Sequence, residues 1–376
     1  MRIVHLYANW KWTGPAEPAV NLAATLARRG HDVLFVPGRP VGDLENLIAT
    51  KARERGLDVR EGLALDKHWR PIGNHLDARR LSTWFDEFRP DIVHAHTLND
   101  HLVGAAAARR HRPDLPVVRS LYDGEASPAG WRTRLAFGRR TDFLLSASDR
   151  VRGETATRFG MDPARTAVYD VPIDLARFDP DRELPDLRAE YGIEPGDFVV
   201  GIVARMQRHR RFEVFFDGLD RAFADVENLR VLIVGRGTNM REVAVERAAN
   251  TSLGDRIVFT GYRADDEYVA TLAAMDAKVF LWPGSDGSCR AVREALAMGK
   301  PVISAKVGML PEIVAGGRTG VLIDHDPEDL AAAVRMLADD AARKTMAEAA
   351  RAEARARFDA DARAAEVEAV YSSLSS

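Results

Sequence analysis

A single cysteine, Cys289, stands in 376 residues, so no internal disulfide can form and a reducing cytoplasm is the expected setting. No apolar run approaches the length a bilayer span requires. The opening Arg2-Ile3-Val4-His5-Leu6-Tyr7 reads as a strand and lacks the pattern of a secretory leader. A full Gly-x-Gly-x-x-Gly is missing, as is any basic surface interleaved with aromatics, which argues against nucleic acid as a partner.

What is present is a chain of two-domain length, 46% hydrophobic and 29% charged, with a net charge of −3. That charge is unevenly spread: residues 1–170 hold 26 Lys+Arg against 21 Asp+Glu, leaving 27 against 35 in the remainder. A basic first half suits contact with an anionic membrane face or an anionic acceptor, although such an imbalance also arises on ordinary surfaces.

Short apolar runs alternate with helical patterns in both halves, which predicts parallel strands joined by crossover helices. In the first half the strands are expected at Ile3–Tyr7, Asp32–Val36, Asp91–His96, Pro116–Leu121 and Asp142–Ser146, with helices at Ala19–Arg29 and Leu44–Glu54. Asp179–Asp197, charged and without periodicity, is the expected linker. A second set follows at Phe198–Val203, Val231–Val234, Ile257–Thr260, Ala277–Leu281, Pro301–Ser304 and Val321–Ile323, and three helices close the chain. The expected division is residues 1–180 and 181–358, with a terminal helix, 359–376, returning to the first domain. In open parallel sheets ligands bind beyond the carboxyl ends of the strands, so the residues just after each run are the informative ones.

The richest such stretch is Val279–Ile303, in which a buried strand passes through Pro283-Gly284-Ser285-Asp286-Gly287-Ser288 into a helix beginning near Cys289. Unpaired N–H groups at a helix start, following a glycine turn, suit a phosphate. Asp286 and Glu294 could each reach a hydroxyl-bearing part of the same ligand; equally, Asp286 could cap the helix and Glu294 lie on its solvated face. Ala204-Arg205-Met206-Gln207-Arg208-His209-Arg210-Arg211 ends another strand and reads either as a solvated basic loop or as a cradle for anionic groups. His94 and His96 alternate onto one side of their strand. A metal reading of that pair lacks a third ligand at convincing spacing. Trp10 and Trp12 flank Gly14, where a backbone free of a side chain admits close approach; they form a binding platform or pack beneath the loop.

Taken together, the Asp286 to Glu294 spacing with its Gly-x-Pro-Val-Ile continuation, the Pro90–His96 strand and the Arg205/Arg210 pair resemble family 4 of the retaining glycosyltransferases. The resemblance implies the GT-B fold, an α/β architecture of two Rossmann-like, doubly wound parallel-sheet domains facing across a cleft. It implies transfer of a sugar from a UDP- or GDP-sugar to the hydroxyl of a carbohydrate or glycolipid acceptor, in cell-surface glycan, lipopolysaccharide or glycolipid synthesis. No cofactor and no metal are implied, because fixed positive charge meets the leaving diphosphate. Carried over residue by residue, Arg205 and Arg210 hold the diphosphate, Glu294 the ribose and Asp286 the sugar hydroxyls, with His96 near the sugar. Gly14, Gly235, Gly287, Ser288, Cys289 and Arg290 line the nucleotide sugar, and the backbone at Arg263 meets the base. Aspartate at 286 replaces the family's glutamate, arginine at 210 its lysine, and Arg236 an acidic residue between two glycines. A cytoplasmic protein, peripheral at the inner membrane face, is the implied location. A sugar-nucleotide epimerase of the same architecture and a non-catalytic sugar-nucleotide-binding protein are the alternatives.

Overall fold

The computed structural model describes residues 1–283 and 287–375. Asp286, with Gly284 and Ser285, falls outside the described residues. Two compact units are present. Unit 1 comprises Met1–Pro172 and the segment from Ala360, with Gly287 and Ser288 grouped alongside; unit 2 comprises Ile173–Ser285 and Cys289–Asp359.

Unit 1 carries strands β1 (Arg2–Tyr7), β2 (Asp32–Pro37), β3 (Asp58–Val59), β4 (Ile92–Ala95), β5 (Val117–Leu121), β6 (Phe143–Ser146) and β7 (Thr166–Val168). They form one sheet in the order β3-β2-β1-β4-β5-β6-β7, and every pairing is parallel. Helices α1 (Ala16–Arg28), α2 (Leu47–Glu54), α3 (Pro71–Phe88), α4 (Leu98–His111), α5 (Trp131–Arg139) and α6 (Asp149–Phe159) connect them. Because parallel strands need covered faces, β1 and β4 are buried along almost their whole length. The order reverses between β1 and β4, and a crevice at that point is where such sheets place ligands.

Unit 2 repeats the plan with β8 (Phe198–Val203), β9 (Leu229–Val234), β10 (Ile257–Gly261), β11 (Ala277–Phe280), β12 (Val302–Ala305) and β13 (Gly320–Ile323). The order is β10-β9-β8-β11-β12-β13, again all parallel, with the reversal between β8 and β11. Its helices are α7 (Phe212–Phe223), the short α8 (Glu246–Ala248), α9 (Asp265–Ala274), α10 (Arg290–Ala297), α11 (Leu310–Ile313), α12 (Pro327–Ala338) and α13 (Asp340–Arg357). Phe212, Phe215 and Phe216 of α7 pack with Leu330 and Val334 of α12 on the β8, β9 and β11 side chains, which makes the core of this unit.

The last helix, α14 (Ala360–Ser375), belongs to unit 1. Arg29 grips Glu368 through two nitrogens at 2.7 and 2.8 Å, and Tyr371 is fully buried. No helix among the described residues is long and apolar enough to cross a membrane. Strand ends differ from the sequence-based expectation by one or two residues. The largest addition is α3, whose 18 residues include Arg79 and Arg80 and show only a weak apolar stripe.

Candidate functional site

In unit 2 the two strands at the reversal, β8 and β11, end side by side, with Ile202 paired to Val279. The loops that follow them are joined by Arg210, whose Nη1 donates to the Trp282 carbonyl at 2.8 Å. Of the basic residues after β8, Arg208 is bound to Glu242 at 2.9 Å and Arg211 to Glu213 at 2.7 Å. Arg205 is exposed and makes no ion pair or hydrogen bond among the described residues. Among the described residues Arg208 and Arg211 are thus engaged in local ion pairs, and Arg205 is not.

The neighbouring glycines explain how the loop is shaped. Gly235 has φ +131°, and a Cβ there would lie 2.2 Å from the Ala204 carbonyl oxygen; at Gly237 the clash would be with the Met206 carbonyl at 2.3 Å. Backbone therefore packs on backbone, holding residues 204–206 against the end of β9. Arg236 lies over the Tyr262 ring at 5.0 Å. Arg263 spends its guanidinium on Glu267 at 3.5 Å and Glu190 at 3.8 Å.

The helix after β11, α10, begins at Arg290 with Cys289 in the left-handed conformation at φ +51°. Val292, Ala295 and Leu296 bury one side, but the buried run extends through Arg293 and Glu294, so this helix is covered nearly all round. Arg293 is fully buried over the Phe358 ring at 4.7 Å. Glu294 is only 5% exposed, which removes the reading in which it is a solvated surface residue. Tyr268 donates its hydroxyl to Glu294 Oε2 at 2.6 Å, and Arg290 Nε lies 3.3 Å from Oε1. Lys278 of β11 is buried beneath the helix and donates to the Ala291 carbonyl. Burial pushes its ammonium down to about 8, with the Glu294 charge opposing the shift. Burial raises the Tyr268 phenol well above its ordinary value, and the adjacent Glu294 adds to the effect. A carboxylate so held is pre-oriented to accept hydroxyl groups from a ligand. Ser288 and Cys289 are buried at the helix start.

One Asp-x-Asp does follow a strand here, Asp324-His325-Asp326 after β13, at the sheet's edge. Asp324 pairs with Lys306 at 3.0 Å and Asp326 caps α12 by accepting from Glu328 N at 2.7 Å, so neither is arranged as a paired cation ligand.

In unit 1 the imidazoles of His94 in β4 and His96 just after it stack at 4.4 Å, on the side the alternation predicts. The structure adds a third, His5, in register with His94 across β1 and β4; one ring nitrogen of each lies within 4.8 Å of the others. Sequence spacing could not supply it, because strand pairing brings it in from about ninety residues away. The rings bond to one another and to hydroxyls: His5 Nδ1 with His96 Nε2 at 2.9 Å, His96 Nδ1 with the Tyr122 hydroxyl at 3.0 Å, and His94 with Ser120 and Tyr371. His96 is 3% exposed, so its ring, expected near a sugar, has both nitrogens committed inside unit 1. His94 is fully buried, and its bond to Tyr371 anchors α14. Burial holds His5 down to about 3, and holds His94 and His96 well below the usual imidazole range, with neighbouring rings and Arg119 adding to the effect. Gly14 lies in the turn before α1, whose Thr13 hydroxyl is 3.3 Å from that of Tyr7.

Two family descriptions match the chain: Glycosyltransferase Family 4 over residues 14–177 and Glycosyl transferases group 1 over residues 197–340. The chain belongs to the family 4 glycosyltransferases. Among curated relatives, the D-inositol 3-phosphate glycosyltransferase of Rhodococcus jostii is 31% identical over 67% of this chain and 60% of its own length. That of Kineococcus radiotolerans is 29% identical over 87% and 82%. The first of these alignments thus spans under two thirds of the relative. Among solved structures, Anabaena HepE crystallised with UDP superposes with a TM-score of 0.81, at 22% identity over 99% of this chain and 100% of that one. This likeness shows the GT-B fold of the family.

Several residues of the family 4 scaffold escaped sequence reading: Lys278, Tyr268, His5, Tyr122, Tyr371 and Arg119. For Lys278 and Arg119 a signal existed, since each is a lone cation inside an apolar strand, in Ala277–Phe280 and Val117–Leu121. For the others only three-dimensional pairing reveals the role.

Proposed function

We propose that this protein transfers a glycosyl group from a nucleoside-diphosphate sugar to an acceptor hydroxyl with retention at the anomeric carbon, and that it does so without a metal ion. The observation that carries this reading is the buried carboxylate of Glu294, fixed by Tyr268, in the helix after β11, while the exposed cation Arg205 follows the neighbouring strand β8 at the point where the strand order of unit 2 reverses. The bond between the anomeric carbon and the phosphate oxygen breaks with its electron pair passing to the diphosphate. The acceptor oxygen adds on the same face of the sugar, and its proton passes to the departing phosphate oxygen. Arg205, Arg210 and the N–H groups opening α10 meet the charge that develops, the role a cation would otherwise fill. Glu294 accepts from the ribose hydroxyls and Asp286 from those of the sugar. Gly235, Gly287, Ser288, Cys289, Arg290 and the Arg263 backbone complete the donor site. His96 acts through its hydrogen-bonded chain as a positioning residue of unit 1.

HepE, described as binding UDP, supports a uridine nucleotide as the first donor to test. The acceptor is a carbohydrate or glycolipid, and the relatives named for D-inositol 3-phosphate support including phosphorylated polyols. We assign unit 1 a contact with anionic membrane surface at the cytoplasmic face. Ile72 and Leu76 project from α3 at 78% and 60% exposure. Trp131, edge-on to Trp69, is 62% exposed, and Lys67, Arg70, Arg132 and Arg134 lie close by in sequence.

The test is thermal shift against UDP, GDP and ADP, then against their sugar conjugates, since a specific ligand stabilises in proportion to its occupancy. Product mass after incubation with donor alone separates transfer from isomerisation. Binding without any turnover over a broad acceptor panel would leave only a sugar-nucleotide-binding protein.

A further inference from the structure

Arg119 is a guanidinium on β5 inside unit 1, and it is 4% exposed. Its Nε and Nη1 are buried with no hydrogen-bond partner among the described residues. A desolvated cation left in that state is costly unless a partner group completes its hydrogen bonds. The groups that act on it electrostatically are Asp100, Asp123, Tyr122 and Tyr7. Tyr7 ends β1, Asp100 lies in the first turn after β4, and Tyr122 and Asp123 follow β5. These groups stand at the carboxyl ends of the three strands, beside the point where the order of the sheet reverses.

The two carboxylates do not satisfy it. Asp100 accepts from Ala8 N at 2.7 Å, His96 N at 3.0 Å, and both the backbone and hydroxyl of Thr97, which is a structural cap. Asp123 is exposed to water. They lower the cost of keeping a positive charge there while leaving its fork of donors open.

We propose that Arg119 is the anchor of an anion site in unit 1, taking a carboxylate or phosphate group carried by the acceptor. A planar fork of N–H donors matches either group in two parallel hydrogen bonds. Tyr7 closes β1 and Tyr122 follows β5 at the same end of the sheet. The word acceptor rests on the transferase reading above; the anion site itself does not.

The experiment uses the full chain saturated with UDP, so that the donor site is filled, and titrates inorganic phosphate and malonate against sodium chloride at equal ionic strength, read by calorimetry and thermal shift. Phosphate or malonate binds beyond the chloride control, and whichever is tighter names the group. Arg119→Gln weakens that binding about 10- to 100-fold while UDP affinity stays as in the wild type. Arg119→Lys, which keeps the charge and loses the fork, falls between the two and serves if the glutamine variant fails to fold. No binding beyond chloride in the UDP-saturated wild type overturns the proposal, as does an Arg119→Gln protein that binds the anion as before. Failure of UDP itself to bind would strike the transferase reading instead.

Discussion

Acidification should unfold this protein steeply between pH 6.5 and 4, beginning above the range in which its surface carboxylates take up protons. Four histidines are buried and neutral, His5, His94, His96 and His101, all held below the ordinary imidazole range chiefly by desolvation, with His5 and His101 down to about 3. Their folded values lie below their unfolded ones. The stability they confer is thus complete above pH 6.5 and is lost as pH falls through the window toward 3. Near pH 5 the unfolded chain binds about four protons that the native state refuses. Asp100 opposes this: burial raises its carboxyl to about 6, so in the same window the native state holds one proton the unfolded chain has released. The net of about three protons gives a slope of roughly 4 kcal/mol per pH unit, enough to exhaust the stability of an ordinary domain within two or three units. Urea titrations followed by tryptophan fluorescence at fixed pH steps from 7.5 to 4 measure that slope directly. His101→Asn, which removes one of the four outside the His5/His94/His96 cluster, should flatten it by about 1.4 kcal/mol per unit. A stability that stays level from pH 6.5 to 5, or one that rises on acidification, refutes the assignment of these rings as buried and neutral.

Tyr268→Phe leaves the buried Glu294 without its hydroxyl donor; nucleotide affinity should fall about tenfold by calorimetry with the circular dichroism spectrum unchanged, in line with the loss of a hydrogen bond to a charged group. Tyr371→Phe removes the buried hydroxyl that ties α14 to His94 and should lower stability by about 1–3 kcal/mol in urea titrations. Replacing Ile72 and Trp131 together by aspartate should abolish flotation with phosphatidylglycerol vesicles while leaving UDP binding intact; undiminished flotation would remove the membrane assignment.

The doubly wound plan was legible because parallel strands buried on both faces leave continuous apolar runs, as in Phe198–Val203 and Leu229–Val234. The same physics made α3 hard to see: it covers the sheet through Ala78, Leu81, Trp84 and Phe85 while exposing Ile72 and Leu76 on its other side, so its apolar residues do not form one stripe. At the site, the loops after β8 and β11 could be located, since glycine and charge clusters mark strand ends. Which arginines were engaged could not, because Glu242 reaches Arg208 only through the fold, and the pairing of Arg211 with nearby Glu213 depends on the loop's conformation. The histidine pair shows the limit most clearly. Alternation gave the shared side of His94 and His96, but the hydrogen bonds that commit His96 to Tyr122 and His5 depend on the register of β1, β4 and β5.

On the proposed mechanism, guanidinium charge and a helix start receive the diphosphate with no cation. Calorimetric titration of UDP into the wild type and Arg205→Ala, each with and without excess chelator, tests it most directly. The account predicts an affinity indifferent to chelator and weakened about 10- to 100-fold by the substitution. Binding that disappears with chelator, or that survives the loss of Arg205 undiminished, would contradict it.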